Sequence, residues 1–186
     1  MGKILQEGVT LIELLVTLSI VAIIVAVGAP AMRDFFAMNQ MSAAVNDLVT
    51  SLHVARSEAI KRETTATVCP STNWDTPNPT CTPLGSLADG WIVVIDPAAL
   101  AIVVQTHEPL PDRIRLDQDF VDSINFTASG LPGNANAAGE FNLLLCDDRG
   151  DPGGDIAAGR WINIRGTGRP RVYTKRTDVQ NMLGGC

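Results

Sequence analysis

The chain reads as an α+β protein, one long N-terminal helix followed by a domain of short antiparallel strands. Three observations predict this. Residues Leu14 to Met32 form a run of 19 residues without a single charge. Beyond that run the apolar residues continue at helical spacing as far as Ala59. The 16 glycines and 11 prolines then fall mostly after Cys69, in a stretch broken by frequent turn signals, which favours strands and turns over helices.

The helix is expected from Val9 to about Arg62. Pro30 should kink it, because proline removes a backbone donor and its ring crowds the preceding turn. After Pro30, Met41, Val45, Leu48, Leu52, Ala55 and Ala59 step by three or four residues and share one helical face. Asn39, Asn46, Asp47, Ser57, Glu58 and Lys61 fall mainly off that face. The first half is therefore apolar all round and about long enough to span a bilayer, which takes roughly 20 apolar residues. The second half should lie against a globular domain. Thr64 to Val68 is rich in β-branched residues and leaves the helix as a strand. Further strands are expected at Trp91 to Ile95, Ala101 to Thr106, Arg113 to Leu116, Ile124 to Phe126, Glu140 to Leu145, Trp161 to Ile164 and Arg171 to Thr174. Turns rich in Gly, Asn, Asp and Pro separate them, at Asp96-Pro97, Gly130 to Gly139 and Asp147 to Gly154. Four units follow: a leader over 1–8, a membrane or filament-core helix over 9–32, an amphipathic half over 33–63, and a globular β domain over 64–186.

The four cysteines, Cys69, Cys81, Cys146 and Cys186, are an even number with no CxxC pair. In an anchored chain this points to disulfides in an oxidising compartment. Of the three possible pairings, Cys69–Cys81 with Cys146–Cys186 is favoured. The first pair would hold the Pro/Thr/Asn-rich loop from Pro70 to Thr80, and the second would tie the last residue to a strand. Metal or catalytic chemistry has little support. Only His53 and His107 are available, no Ser-His-Asp order or phosphate-cradling loop is present, and Asp147 to Asp151 lacks the spacing of a calcium loop. No catalytic residue, metal ligand or cofactor is expected.

The N-terminal junction is Gly8-Val9-Thr10-Leu11-Ile12-Glu13, followed by Leu14-Leu15 and the rest of the uncharged run. A secretory signal would place its small-residue cut site after the apolar stretch; here the glycine lies before it. A cut after Gly8 leaves the apolar segment on the mature chain, with Glu13 at its edge, where a carboxylate needs a partner. This junction resembles the leader of type IV pilins and type II secretion pseudopilins. The resemblance implies that a prepilin peptidase cuts between Gly8 and Val9 and methylates Val9, where the family usually has Phe. It also implies that Glu13 pairs with the N-terminus of a neighbouring subunit during assembly. Thr67-Val68-Cys69-Pro70-Ser71, Gly90-Trp91-Ile92-Val93, Ile124-Asn125-Phe126 with Gly130, and Cys146 extend the likeness to the GspH/FimT/FimU group of minor pilins and pseudopilins. In that group the long helix packs on two small antiparallel sheets. The implied partners are other major and minor pilins, the prepilin peptidase and the inner membrane. The implied place is a single-pass inner-membrane protein with its C-terminal domain in the periplasm, carried outside once the pilus assembles.

Charge sets one segment apart. The chain has 14 basic and 20 acidic residues. Between Ile156 and Thr177 lie Arg160, Arg165, Arg169, Arg171, Lys175 and Arg176 with no acid, so the remaining 8 basic and 20 acidic residues carry −12. Such a stretch displays a local positive surface. In Gly166-Thr167-Gly168-Arg169-Pro170-Arg171, an extended backbone aims Arg169 and Arg171 to the same side, as two guanidinium forks suited to phosphates. Tyr173 is their same-side neighbour, placed to stack on a base. Arg165, Lys175 and Arg176 join the candidate set from charge alone. Gly168-Arg169-Pro170-Arg171 also matches the Gly-Arg-x-Arg motif of FimT-type minor pilins, which bind DNA during natural transformation. The expected function is thus a minor pilin near a pilus tip that binds DNA without sequence preference through a C-terminal basic loop. A solvated basic hairpin on a structural initiation subunit, or on a GspH-like pseudopilin, remains open.

Overall fold

The computed structural model describes residues 9–96, 101–119, 123–136, 138–149, 156–182 and 186. Gly8, Pro97 and Asp151, named above in the cleavage site and two turns, lie outside them. Helix α1 spans Leu11–Lys61, with helical backbone through Pro30. Thr10 caps it: its Oγ1 accepts from the Glu13 backbone N–H at 3.3 Å, and its carbonyl accepts from Leu14 N–H at 3.1 Å. A threonine at this position satisfies a donor the first helical turn would otherwise leave open. The Glu13 carboxylate in that turn also sits where the helix dipole favours negative charge.

The chain forms two compact units, Met1–Met38 and Asn39–Cys186. In the first, the described large apolar side chains stand in the open, from Leu11 and Ile12 to Val27 and Met32. The helix is long and apolar enough there to cross a membrane.

The second unit holds two antiparallel four-stranded sheets. Strands β1 (Ala66–Pro70), β2 (Trp91–Ile95), β3 (Ile102–His107) and β5 (Ile124–Phe126) form the first, in the order β3-β2-β1-β5. Strands β4 (Ile114–Gln118), β6 (Glu140–Asp147), β7 (Ile156–Arg165) and β8 (Arg169–Lys175) form the second, in the order β4-β6-β7-β8. Each strand covers a segment expected as one, although β7 begins at Ile156, five residues before the expected Trp161; this is the α+β architecture expected. A short 3-10 turn, Leu87–Asp89, and helix α2, Arg176–Gln180, carry no apolar periodicity long enough to announce them.

The core packs Met41, Val45, Leu48, Leu52, Ala55 and Ala59 of α1 against the inner faces of both sheets, among them Val68, Trp91, Phe126, Phe141, Leu145 and Ile164. The buried stripe is the one the helical spacing marks out. Trp91 brings a polar group into this core, and its Nε1 donates to Ser51 Oγ at 2.9 Å, so the indole is satisfied. His107 stacks on Trp91 with centroids 3.9 Å apart and places Nε2 3.3 Å from the Asp47 carboxylate. Sheet edge and helix are thereby joined.

The cysteines pair as Cys69–Cys81 and Cys146–Cys186. Each disulfide staples a cover onto the outer face of one sheet. The loop closed by Cys69–Cys81 lays Trp74 against Cys69, Ile92 and Val94. The segment closed by Cys146–Cys186 lays Val179 of α2 on Leu144, Cys146 and Ala157, with Trp161 packed alongside. Gly159 makes room for this second staple, since a Cβ there would stand 2.1 Å from Cys186 Sγ.

Candidate functional site

The basic segment is a β-hairpin, which corrects the expectation of a basic loop. Arg165 is the last residue of β7, Arg169 the first of β8, and the two are register partners. Only Gly166-Thr167-Gly168 lies between them. The pairing Ile164↔Pro170, Asn163↔Arg171 and Trp161↔Tyr173 shows why: Pro170 and Val172 belong to the face carrying Ile162 and Ile164, so the alternate residues must turn outward. Arg165, Arg169 and Arg171 consequently line one open cleft of about 760 Å³, with Gly166, Thr167, Ala138 and Gly139. All three arginines are exposed. No ion pair among the described residues involves Arg165, Arg169, Arg171 or Lys175. Lys175 is exposed at the far end of β8, beyond Tyr173, and Arg176 opens α2 and so leaves the row.

The nearest acid by register is Glu140, the partner of Arg165. Its Oε2 accepts from Asn163 Nδ2 at 3.0 Å. Asn163 Nδ2 also donates to Asn142 Oδ1 at 2.7 Å, and Asn142 Nδ2 donates to Asp119 Oδ2 at 2.6 Å. A polar ladder across the sheet thus engages the local carboxylates, leaving the guanidinium groups to face solvent. Arg160 has a different use. It is half-buried and donates from Nη1 to the carbonyls of Ala157 and Gly159, both at 2.8 Å. Burial, with the neighbouring Arg149 charge, lowers its pKa from the usual arginine value.

Arg56 of α1 holds the hairpin tip in place. Its Nε donates to Gly130 O at 3.0 Å and Thr167 O at 3.2 Å. Arg56 lies off the apolar stripe and far from the basic window in sequence, so charge and periodicity alone do not single it out. Gly168 completes the clamp. Its φ is +72°, and a Cβ there would meet Gly130 O at 2.2 Å. Both a left-handed backbone and the close approach require glycine. Alanine at Gly168 is expected to destabilise the domain by roughly 1–3 kcal/mol and to displace the tip. Chemical denaturation, with amide spectra of Thr167 and Arg169, would show it; an unshifted tip would contradict the clamp.

Tyr173 departs from the sequence expectation in one respect. One of its ring faces is already taken by Trp161, with centroids 4.3 Å apart and planes 23° from parallel. Trp161 is fixed in turn, its Nε1 donating to Asn142 Oδ1 at 2.9 Å. Val9 and Glu13 lie in the first compact unit, and the hairpin in the second.

Residues 44–168 match the family described as type II transport protein GspH, and residues 5–29 match the prokaryotic N-terminal methylation motif. The first match stops at Gly168, so Arg169 and Arg171 lie beyond it. Among curated proteins, fimbrial protein EcpC of Eikenella corrodens is 46% identical over 46 residues, 25% of this chain. That stretch spans about 30% of the relative's length. Among solved structures, the type IV minor pilin FimU of Pseudomonas aeruginosa has the same fold in two crystal forms, at TM-scores of 0.53 and 0.50 and 18% identity. The first superposition covers 77% of this chain and 94% of that one. With the GspH family match over most of the chain and the methylation motif at the head of α1, this protein belongs to the family described as type II transport protein GspH and has the fold of the minor pilin FimU.

Proposed function

We propose that the chain is a minor pilin built into a type IV pilus near its tip, where it captures extracellular DNA without sequence preference for uptake in natural transformation. The observation that carries this reading is the cleft lined by Arg165, Arg169 and Arg171, three exposed guanidinium groups without ion pairs among the described residues, in a chain of net charge −6. Phosphate contacts of this kind position a nucleic acid and carry no base information. Lys175 extends the positive surface. Purified full-length chain in a non-ionic detergent should bind labelled duplexes of unrelated sequence with equal affinity at low salt. No binding there would favour the second reading, a pseudopilin of a type II secretion filament. The description of the matched family supports that alternative.

Assembly in this account begins with removal of residues 1–8 by a prepilin peptidase and methylation of Val9. The apolar half of α1 then holds the chain in the inner membrane, with the globular domain in the periplasm, until filament packing buries it. Glu13 exchanges water for the terminal amine of a neighbouring pilin. Mass spectrometry of cell-derived protein should find an N-methylated Val9 as its first residue. An intact Met1, or a cut beyond Met32, would contradict this pathway.

A further inference from the structure

The arginine row continues into an aromatic platform. Arg169, Arg171 and Tyr173 follow one another along β8 in two-residue steps, roughly 6.7 Å each for an extended strand. That is the scale of one nucleotide of stretched sugar-phosphate backbone. β8 is the last strand of its sheet, and Trp161 stands on the inner side of Tyr173. The opposite face of the tyrosine ring therefore turns off the sheet edge, and among the described residues no other ring stacks on it. The hairpin tip, meanwhile, is held down by Arg56 and by the close approach of Gly168 to Gly130. It is not a free two-stranded ribbon of the kind that enters a major groove.

We infer that this site prefers single-stranded DNA to duplex. Arg169 and Arg171 hold successive phosphates of one strand, and the outer face of Tyr173 stacks on an unpaired base. In a duplex both faces of each internal base are covered by neighbours, so only the phosphate contacts remain. The inference rests on the DNA-binding reading and adds the form of DNA to it. Base–aromatic stacking of roughly 1–3 kcal/mol corresponds to a preference of about 5- to 150-fold. The salt dependence adds a second signature. Each phosphate neutralised steepens the slope by about 0.9 for duplex and about 0.7 for single strands, so the preference should widen as salt rises.

The test is fluorescence anisotropy with full-length chain in non-ionic detergent. The probes are a labelled oligothymidylate and the same oligonucleotide annealed to its complement. The single strand should bind at least about fivefold tighter. Tyr173→Leu should bring it to the duplex level, and Tyr173→Phe, which keeps the ring, should retain the preference. Equal or tighter duplex binding by the parent would overturn the inference and leave DNA capture standing. A preference that survives Tyr173→Leu would overturn it too. Failure of both probes to bind would overturn the DNA reading and this inference together.

Discussion

Replacing Cys146 and Cys186 together by alanine is expected to destabilise the globular domain by about 4 kcal/mol. The disulfide closes a sequence separation of 40 residues, and loop-closure entropy for a ring of that size gives about 4 kcal/mol. The loss reaches beyond the unfolded state. Without the staple, Val179 is held on Leu144, Cys146 and Ala157 only by its own packing and by the junction of α2 with β8, so those buried side chains should be reached more readily by water. Trp161 packs on the same cluster, so the Trp161–Tyr173 stack should loosen as well. The hairpin tip lies at the other end of β7 and β8, where Arg56 holds it, and should keep its geometry. Urea unfolding followed by near-ultraviolet circular dichroism measures the change. A loss below ~1 kcal/mol would mean that α2 stays docked without its tether, since a native disulfide of this kind typically contributes 2–5 kcal/mol.

Much of this fold is legible in the sequence because its signals are local. The stripe from Met41 to Ala59 names the buried face of α1 residue by residue, and each β-branched run names a strand. Helix α2 is too short for periodicity to reveal it, and its burial depends on a disulfide to a distant strand. The hairpin illustrates a second limit. The charge window finds Arg165, Arg169 and Arg171, but glycines in Gly166-Thr167-Gly168 suggest a loop. Cross-strand register, which continues both strands up to the turn, decides otherwise. Arg56 shows a third. It serves two carbonyls brought beside it only by folding, 74 and 111 residues away in sequence. Alternation puts Tyr173 on the side of Arg169 and Arg171, yet nothing local says that Trp161 covers one of its faces.

DNA capture by the arginine pair is the second large expected effect. Arg165, Arg169, Arg171 and Lys175 can neutralise about four phosphates, so log K for duplex DNA should fall against log salt with a slope of about −3 to −4. Arg169 and Arg171 are exposed and make no ion pair among the described residues, so the fold does not depend on their charge. Changing both to glutamine should shift stability by no more than about 0–1 kcal/mol per residue, the range for surface charges. In cells the same pair should reduce DNA uptake while pilus assembly stays normal. The most direct measurement is duplex affinity across a salt series, for the parent and for the Arg169→Gln/Arg171→Gln chain. DNA capture by the cleft predicts a slope flatter by about 2 in the variant, with weaker binding at low salt. Identical slopes and affinities for the two chains would contradict it and leave the hairpin as a solvated surface on a structural subunit.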